Sequence, residues 1–309
     1  MKAVGFRRYG DVDVLEVFSL PRPICQHGQV LIKVHASSVN PKDTFIRKGR
    51  FRWLTGQRFP QWIGFDFAGE VVESSVTECR VGNRVFGMLD GWRGGACADY
   101  VLAQPDQIAQ IPDHVPFEQA AAVPLVGLTA LQALRDHGRM RAGQRVAING
   151  ASGGVGSMAV QIARYYDAHI TAIASASNHD FLYELGADVC LDYRTHDLTK
   201  IAQPFDAVFD VFGNTRYAKV KPILTDSGVW ISTVLQAHVF VSMAFTLFSR
   251  QRAHLVVVKS CADDLALLAD WMREGQLRAI IQIYPLHQIA EAHAQQQSKH
   301  SRGKLVIRL

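Results

Sequence analysis

The sequence predicts an α/β protein, a doubly wound parallel sheet joined to a second domain rich in β-strand. Three observations carry this. A strand, a glycine-rich turn and an amphipathic helix follow one another over residues 146–166. Strands and helices alternate from residue 118 to 258, and residues 1–117 read as short β-like segments with turn punctuation.

The first observation fixes a candidate site. Residues 146–148 form the strand, 149–154 the turn, and Val155, Met158, Ala159, Ile162, Ala163 and Tyr166 the apolar stripe of the helix. Gly150 and Gly153 can adopt positive φ, while Gly154 and Gly156 lack the Cβ that would hold off an anion and the preceding strand. The first N–H groups of the helix have no partner within it, and its N-terminus carries roughly half a positive charge. A diphosphate suits that end, held by the backbone from Gly150 through Ala151, Ser152, Gly153, Gly154 and Val155.

Two other readings use the same letters. The spacing is not G-x-G-x-x-G, and Gly150-Ala151-Ser152-Gly153-Gly154 also satisfies G-x-S-x-G, the nucleophile elbow of serine hydrolases. Ser152 would then be the nucleophile, with Asp206 or Asp210 as the acid and His287 or His293 as the base. Against it stand about 140 residues of mostly β-patterned sequence before the elbow. A glycine turn without a ligand is the third reading, but its glycines cost stability that a mere connection does not require.

Composition narrows the field. A chain of 309 residues exceeds one ordinary core, so two domains are expected, and 48% hydrophobic with 20% charged residues describes a folded globular protein. A net charge of +5 with scattered basic residues, clustered only at 7–8 and 47–52, supports no nucleic-acid partner. Five cysteines without a C-x-x-C suggest neither a zinc ribbon nor a disulfide framework, and an N-terminus without a signal-peptide core points to the cytoplasm. The apolar run 229–248 is long enough to span a bilayer, but Gln236, His238 and two threonines interrupt it. A buried strand followed by an apolar helix near the active site or a subunit contact is expected, with no stable membrane insertion.

In chain order, strands are expected at 29–34, 68–74, 84–88, 98–102 and 107–111, forming a barrel-like domain. Helices follow at 117–122 and 125–136. Beyond the central unit come strand 169–174, helix 178–185 stopped by Gly186, strands 189–191 and 207–211, helix 215–224, and strands 229–234 and 255–258. The last segment reads as helix 263–274, strand 280–283, helix 286–297 and strand 304–309, a chain returning to its first domain. The domains are therefore 1–117 with 259–309, and 118–258.

The order of these parts, with AAVPLVGLTALQAL, VAINGASGGVGSMAVQIA, FLYELGADVCLDYR and RGKLVIRL, resembles the zinc-independent quinone oxidoreductases, or zeta-crystallin-like proteins, of the medium-chain dehydrogenase/reductase superfamily. The resemblance spans the whole chain and implies a Rossmann domain plus a GroES-like barrel domain, and a homodimer. Zinc-dependent relatives carry a Cys near Ser38-Val39-Asn40-Pro41 and Gly-His-Glu where this chain has Gly64-Phe65-Asp66, as well as a four-cysteine lobe. Without such ligands no metal is assigned, and hydride delivery to an already electrophilic acceptor is favoured over alcohol oxidation. The Asn40-Pro41-Lys42-Asp43 segment is similar to the family's N-P-x-D box, which implies an Asn40 amide near the nicotinamide or acceptor oxygen and an Asp43 that orders the loop. Read alone, Asn40-Pro41 is equally a turn.

Cofactor choice rests on the strand end at 173–179. NAD-selective sites place an acid about 20 residues past the glycines. Here Ser175 and Ser177 stand in that region and no acid appears before Asp180, so NADPH is expected. The lysine or arginine that many relatives put in this turn is missing. Tyr193, matching the family's tyrosine in LDYR, with Arg194, His179 or Arg302, would compensate. Thr129, Phe212 and Val234 are further candidates by resemblance or by position at strand ends. Trp53, Trp62 and Trp92 either line an apolar acceptor pocket or belong to the core.

The sequence thus reads as an NADPH-dependent reductase of quinones or α,β-unsaturated carbonyls. An enoyl-thioester reductase on the same fold, a non-catalytic nucleotide sensor and the Ser152 hydrolase are the alternatives. The acceptor depends on loops 51–62 and 234–249.

Overall fold

The chain begins with β1 (Lys2–Phe6), buried at every residue after Lys2, and β2 (Glu16–Ser19), which buries Phe18, and then β3 (Val30–Val39) begins the main sheet. Asn40-Pro41 ends β3 and starts α1 (Pro41–Arg47), because proline's missing N–H is harmless at the first helical position. There follow α2 (Arg52–Thr55), β4 (Gln61–Trp62), β5 (Asp66–Ser74), β6 (Arg84–Met88), β7 (Tyr100–Ala103), β8 (Ile108–Gln110), α3 (Phe117–Ala121) and α4 (Pro124–Gln132).

The central segment is β9 (Arg145–Asn149), α5 (Gly154–Tyr165), β10 (His169–Ala174), α6 (His179–Leu185), β11 (Val189–Asp192) and β12 (Phe205–Asp210). It continues through α7 (Tyr217–Val220), β13 (Leu224–Ser232), α8 (Ala237–Thr246) and β14 (Arg252–Leu255). The chain finishes with α9 (Ala262–Arg273), β15 (Ile281–Pro285), α10 (Ile289–Ser298) and β16 (Lys304–Arg308).

In this computed structural model residues 1–299 and 301–309 are described. Two units separate: Met1–Leu125 with Lys259–Leu309, and Val126–Val258. In the first, β2-β1-β4 form a small antiparallel sheet, and a larger one runs β15-β16-β3-β5-β6-β8 with β7 also on β3. β3 is its hub, because one half pairs with β7 and the other with β16 while β5 runs along both. Val30, Ile32, Val34, Phe67, Val71 and Val85 fill its core.

The second unit is a six-stranded sheet in the order β11-β10-β9-β12-β13-β14, parallel throughout. That order reverses direction beside β9, the doubly wound arrangement. Its core is built on Phe205, Val208, Val220, Trp230 and Val239. Trp230 is fully buried and donates its ring N–H to Thr215 Oγ1 at 3.0 Å, so its one polar atom is satisfied.

Local reading failed at three places. Strands β1 and β2 pair with one another and with β4, contacts that no short window reveals. The helix expected at 215–224 shrinks to α7 and a 3-10 turn, since Pro222 offers no N–H to continue it. The last strand of the unit lies at Arg252–Leu255, three residues early, where its register on β13 aligns Val229 with Arg252. Run 229–248 divides between buried β13 and α8, and α8 buries Val239 in the core while Phe240, Val241 and Phe245 stay exposed. Among the described residues no helix is long and apolar enough to cross a membrane.

Candidate functional site

The strand, turn and helix expected over 146–166 form β9, a glycine turn and α5. Gly150 has φ +85°, the left-handed conformation that glycine alone adopts freely. A Cβ on Gly156 would stand 2.2 Å from the carbonyl oxygen of Gly150, so helix and turn meet more closely than any side chain permits. The helix N-cap is Gly153, which brings no side chain to the first N–H groups of α5. Gly150 and Ala151 donate instead to Ile173 O at 3.1 Å, which pins the start of the turn to β10. Ser152, Gly153, Gly154 and Val155 stay partly exposed around the helix end. This cradle fits a diphosphate.

At the carboxyl ends of the strands, Phe212 and Val234 lie beside the glycines of two turns. Asn149 donates to Asp210 Oδ1 at 2.8 Å and to Asn214 Oδ1 at 2.7 Å. Buried Asp210 also accepts from Gly213 N–H and from the N–H and hydroxyl of Thr215, so one carboxylate ties β9 to the segment after β12. Phe212 lies against Gly150, and Val234 against Gly213. Thr233 Oγ1 donates to Val211 O at 3.0 Å. Thr129 is buried on α4. Asp210, a candidate acid in the hydrolase reading, acts here as an organiser, a role that only the fold reveals.

Ser175 and Ser177 sit past the end of β10, their hydroxyls 3.2 Å apart, and Asn178 donates to Ser175 Oγ at 2.9 Å. Tyr193 is exposed beyond β11, with the Arg194 guanidinium 5.6 Å from its ring. An acid does belong to this turn. Asp192 accepts from Ala176 N–H at 3.2 Å and from Arg194 N–H at 2.9 Å, and those hydrogen bonds, led by Arg194, hold its pKa below the ordinary carboxylate value. It comes from a different strand, so counting forward from the glycines could not find it. Arg302 lies in the first unit, before β16.

The first unit gathers a buried polar cluster around Asn40. Its amide donates to Asp66 Oδ2 at 2.8 Å and accepts from Lys304 Nζ at 2.5 Å. Lys304 also donates to Val39 O and lies 3.6 Å from Asp66, the counter-charge for its buried ammonium. Asp66 accepts from Ser38 Oγ at 2.5 Å and from Leu125 N–H at 2.8 Å. Burial lowers the pKa of Lys304, and the two carboxylates oppose that shift.

Asp43 accepts from the N–H of Asn40 at 2.9 Å and of Gly64 at 2.7 Å. Burial nevertheless pushes its pKa up to about 6. Asn40 and Asp43 are 0% and 1% exposed, so every contact they make is to protein. Asp43 thus joins the loop after β3 to the Gly64 turn.

The tryptophans do not share one wall. Trp62 packs on Phe18 and Trp92 on Phe51, while Trp53 is 71% exposed. Lys42 Nζ stands 3.8 Å from the centre of the Phe65 ring, at the position where zinc-dependent relatives carry histidine. Among the described residues no group of three or more His, Cys, Asp or Glu is placed to hold a metal ion.

The hydrolase reading loses its parts. Ser152 makes no hydrogen bond to a histidine among the described residues, Asp206 and Asp210 are occupied by Arg145 N–H, Thr225 and Thr215, and His293 is fully buried with neither ring nitrogen partnered.

Comparison with known proteins agrees with this geometry. Residues 26–113 match the alcohol dehydrogenase GroES-like domain, and residues 185–307 match a family described as zinc-binding dehydrogenase. A chloroplast envelope quinone oxidoreductase homolog of Arabidopsis thaliana is 31% identical, over 99% of this chain and 98% of its own. An NADPH-dependent alkenal/one oxidoreductase of the same plant is 30% identical, over 99% and 79%. The solved quinone oxidoreductase of Coxiella burnetii is 34% identical with a TM-score of 0.93, covering 100% of this chain and 99% of that one. The chain belongs to the zinc-independent quinone oxidoreductase, or zeta-crystallin-like, family of the medium-chain dehydrogenase/reductase superfamily.

Proposed function

We propose that this protein is an NADPH-dependent reductase that delivers hydride to a quinone or an α,β-unsaturated carbonyl without a protein-bound zinc ion. The observation that carries the reading is the cradle at Gly150–Gly156, where α5 starts at a glycine N-cap that brings no side chain to its first N–H groups and a Cβ at Gly156 would stand 2.2 Å from the carbonyl oxygen of Gly150. NADPH, when bound, supplies the hydride. The backbone from Gly150 to Val155 holds the diphosphate. Ser175, Ser177 and Tyr193 face the adenosine ribose and its phosphate, with charge from Arg194. Thr129, Phe212 and Val234 shape the nicotinamide end.

Asn40 and Asp43 are positioning residues in this scheme, because both are buried and their hydrogen bonds fix the loop between β3 and α1. A quinone needs little electrophilic help, since the charge it gains spreads over ring and oxygens. Alignment of donor and acceptor and exclusion of water supply most of the rate. The homodimer implied by the resemblance has a candidate seam at β14, an edge strand whose only sheet partner is β13 among the described residues.

The test is a panel of nucleotide and acceptor. NADPH consumption with a naphthoquinone or an alkenal, much slower with NADH, is the expected result. Consumption only with an enoyl-thioester assigns that acceptor instead, and tight NADPH binding without turnover on any acceptor overturns the enzyme. Ser152→Ala should retain the activity.

A further inference from the structure

Lys42 lies between Asn40 and Asp43 in sequence, yet its side chain takes no part in their buried cluster. Its ammonium rests on aromatic rings instead, 3.8 Å from the centre of Phe65 and 5.3 Å from that of Trp92. The electron-rich faces of two rings attract a cation and hold Nζ in place. Trp92 in turn packs on Phe51 with ring centres 4.8 Å apart, and Phe51 on Phe45 at 6.2 Å. Phe65 is fully buried, whereas Lys42, Phe45, Phe51 and Trp92 are partly exposed, so this aromatic wall keeps an accessible face.

The hydrogen bonding of Nζ is incomplete. An ammonium has three N–H donors, and among the described residues its one acceptor is Gly91 O at 2.5 Å. Asp43, Asp66 and Asp90 act on it through their charge, but each is bonded elsewhere. Asp43 accepts from the N–H of Asn40 and Gly64, Asp66 accepts from Ser38 and faces Lys304, and Asp90 accepts from Ser260 N–H. Burial outweighs their pull and lowers the pKa of Lys42 from the ordinary lysine value, which eases release of a proton. A fixed cation with unused donors beside flat rings suits a conjugated carbonyl compound, whose planar body stacks while its oxygen accepts an N–H.

We propose that Lys42 is a catalytic residue that donates a hydrogen bond to the carbonyl oxygen of the acceptor and protonates that oxygen as hydride arrives. This role presupposes the NADPH-linked reductase reading. With an alkenal, hydride forms a C–H bond at the β-carbon, the alkene pair moves toward the carbonyl, and its oxygen takes the charge. The Nζ–H bond then breaks as the O–H bond forms, leaving a neutral amine and an enol that reverts to the aldehyde. Water returns the proton to Nζ. With a quinone the same proton completes the hydroquinone.

Lys42→Met and Lys42→Arg test the role, since methionine keeps much of the apolar stem and arginine keeps a cation that does not release its proton. With NADPH, Lys42→Met should lower kcat about a hundredfold on an alkenal and about tenfold on a naphthoquinone, because the enolate is the stronger base. Lys42→Arg should recover little of the alkenal rate. In the parent that rate should fall at alkaline pH as Nζ loses its proton, and Lys42→Met should lack this limb. A lysine that only anchors Gly91 would lose both acceptors alike and be rescued by arginine.

4-Nitrophenol reads the oxygen contact without any hydride. The parent should bind its coloured phenolate, and Lys42→Met should bind it about tenfold more weakly. Unchanged near-ultraviolet dichroism and NADPH affinity confirm that both variants are folded. Lys42→Met rates within about twofold of the parent on both acceptors overturn the proposal. So do equal losses that Lys42→Arg restores, or phenolate binding that Lys42→Met retains. Absence of turnover on every acceptor, with phenolate binding still dependent on Lys42, overturns the reductase reading and supports the oxygen contact.

Discussion

At the scale of single residues, two buried groups give this protein opposing pH dependences. Asp43 has its pKa raised from 3.8 to about 6 by burial, so the fold favours its protonated form. Its contribution is complete below pH 3.8 and is lost as pH rises through about 6, a change on the order of 3 kcal/mol. His293 is the reverse case. Burial, with the nearby Arg47 charge, lowers it from 6.5 to about 3, so its contribution is complete above pH 6.5 and is lost as pH falls toward 3. Neither of its ring nitrogens has a partner, so His293→Leu breaks no hydrogen bond. That variant should unfold at a lower pH than the parent in an acid titration followed by tryptophan fluorescence, and an unchanged midpoint would contradict the assignment. Asp192 sets a second prediction. Its carboxylate holds the Ser175–Ser177 turn and opposes a phosphate there. Asp192→Asn should raise the ratio of NADPH to NADH turnover severalfold in steady-state kinetics.

At the scale of elements, the joint between β9 and α5 limits both stability and binding. Gly156→Ala would put a methyl 2.2 Å from Gly150 O and 2.6 Å from Ala151 Cα, and both are backbone atoms that cannot turn aside. The helix must retreat from the strand. A loss of about 1–3 kcal/mol in urea unfolding is expected. A loss of NADPH affinity of about tenfold by fluorescence titration should accompany it, because the same shift moves the N–H groups of the cradle. A variant that loses stability but binds NADPH normally would show that the turn serves packing alone.

At the scale of the whole molecule, the last strand completes a sheet begun by the first part of the chain. β16 lies between β15 and β3, and Lys304 on it neutralises Asp66, which is remote in sequence. Removing one member of a buried ion pair costs about 3–5 kcal/mol, because the other charge stays behind in a poor solvent. Lys304→Met should destabilise the first unit by that order in chemical unfolding. Ending the chain before residue 304 should prevent that unit from folding, seen as a lost near-ultraviolet dichroism signal or insoluble protein.

The sequence by itself determined whatever a short window contains. The turn at 149–154 with its glycines, the alternation of strand and helix, the Asn40–Asp43 spacing and the family's run of motifs are all local patterns. They placed the fold class and the strand, glycine turn and helix of β9 and α5. Only the tertiary structure decided which distant groups meet: Asp66 and Lys304 at Asn40, Asp192 at the Ser175 turn, Asp210 beneath Gly213. It also decided which apolar residues of α8 are covered, Val239 joining the core while Phe240, Val241 and Phe245 stay exposed. Periodicity reports that a helix has two faces, but which face is buried depends on the hydrogen bonds and neighbours that topology brings to it, and those come from strands far along the chain.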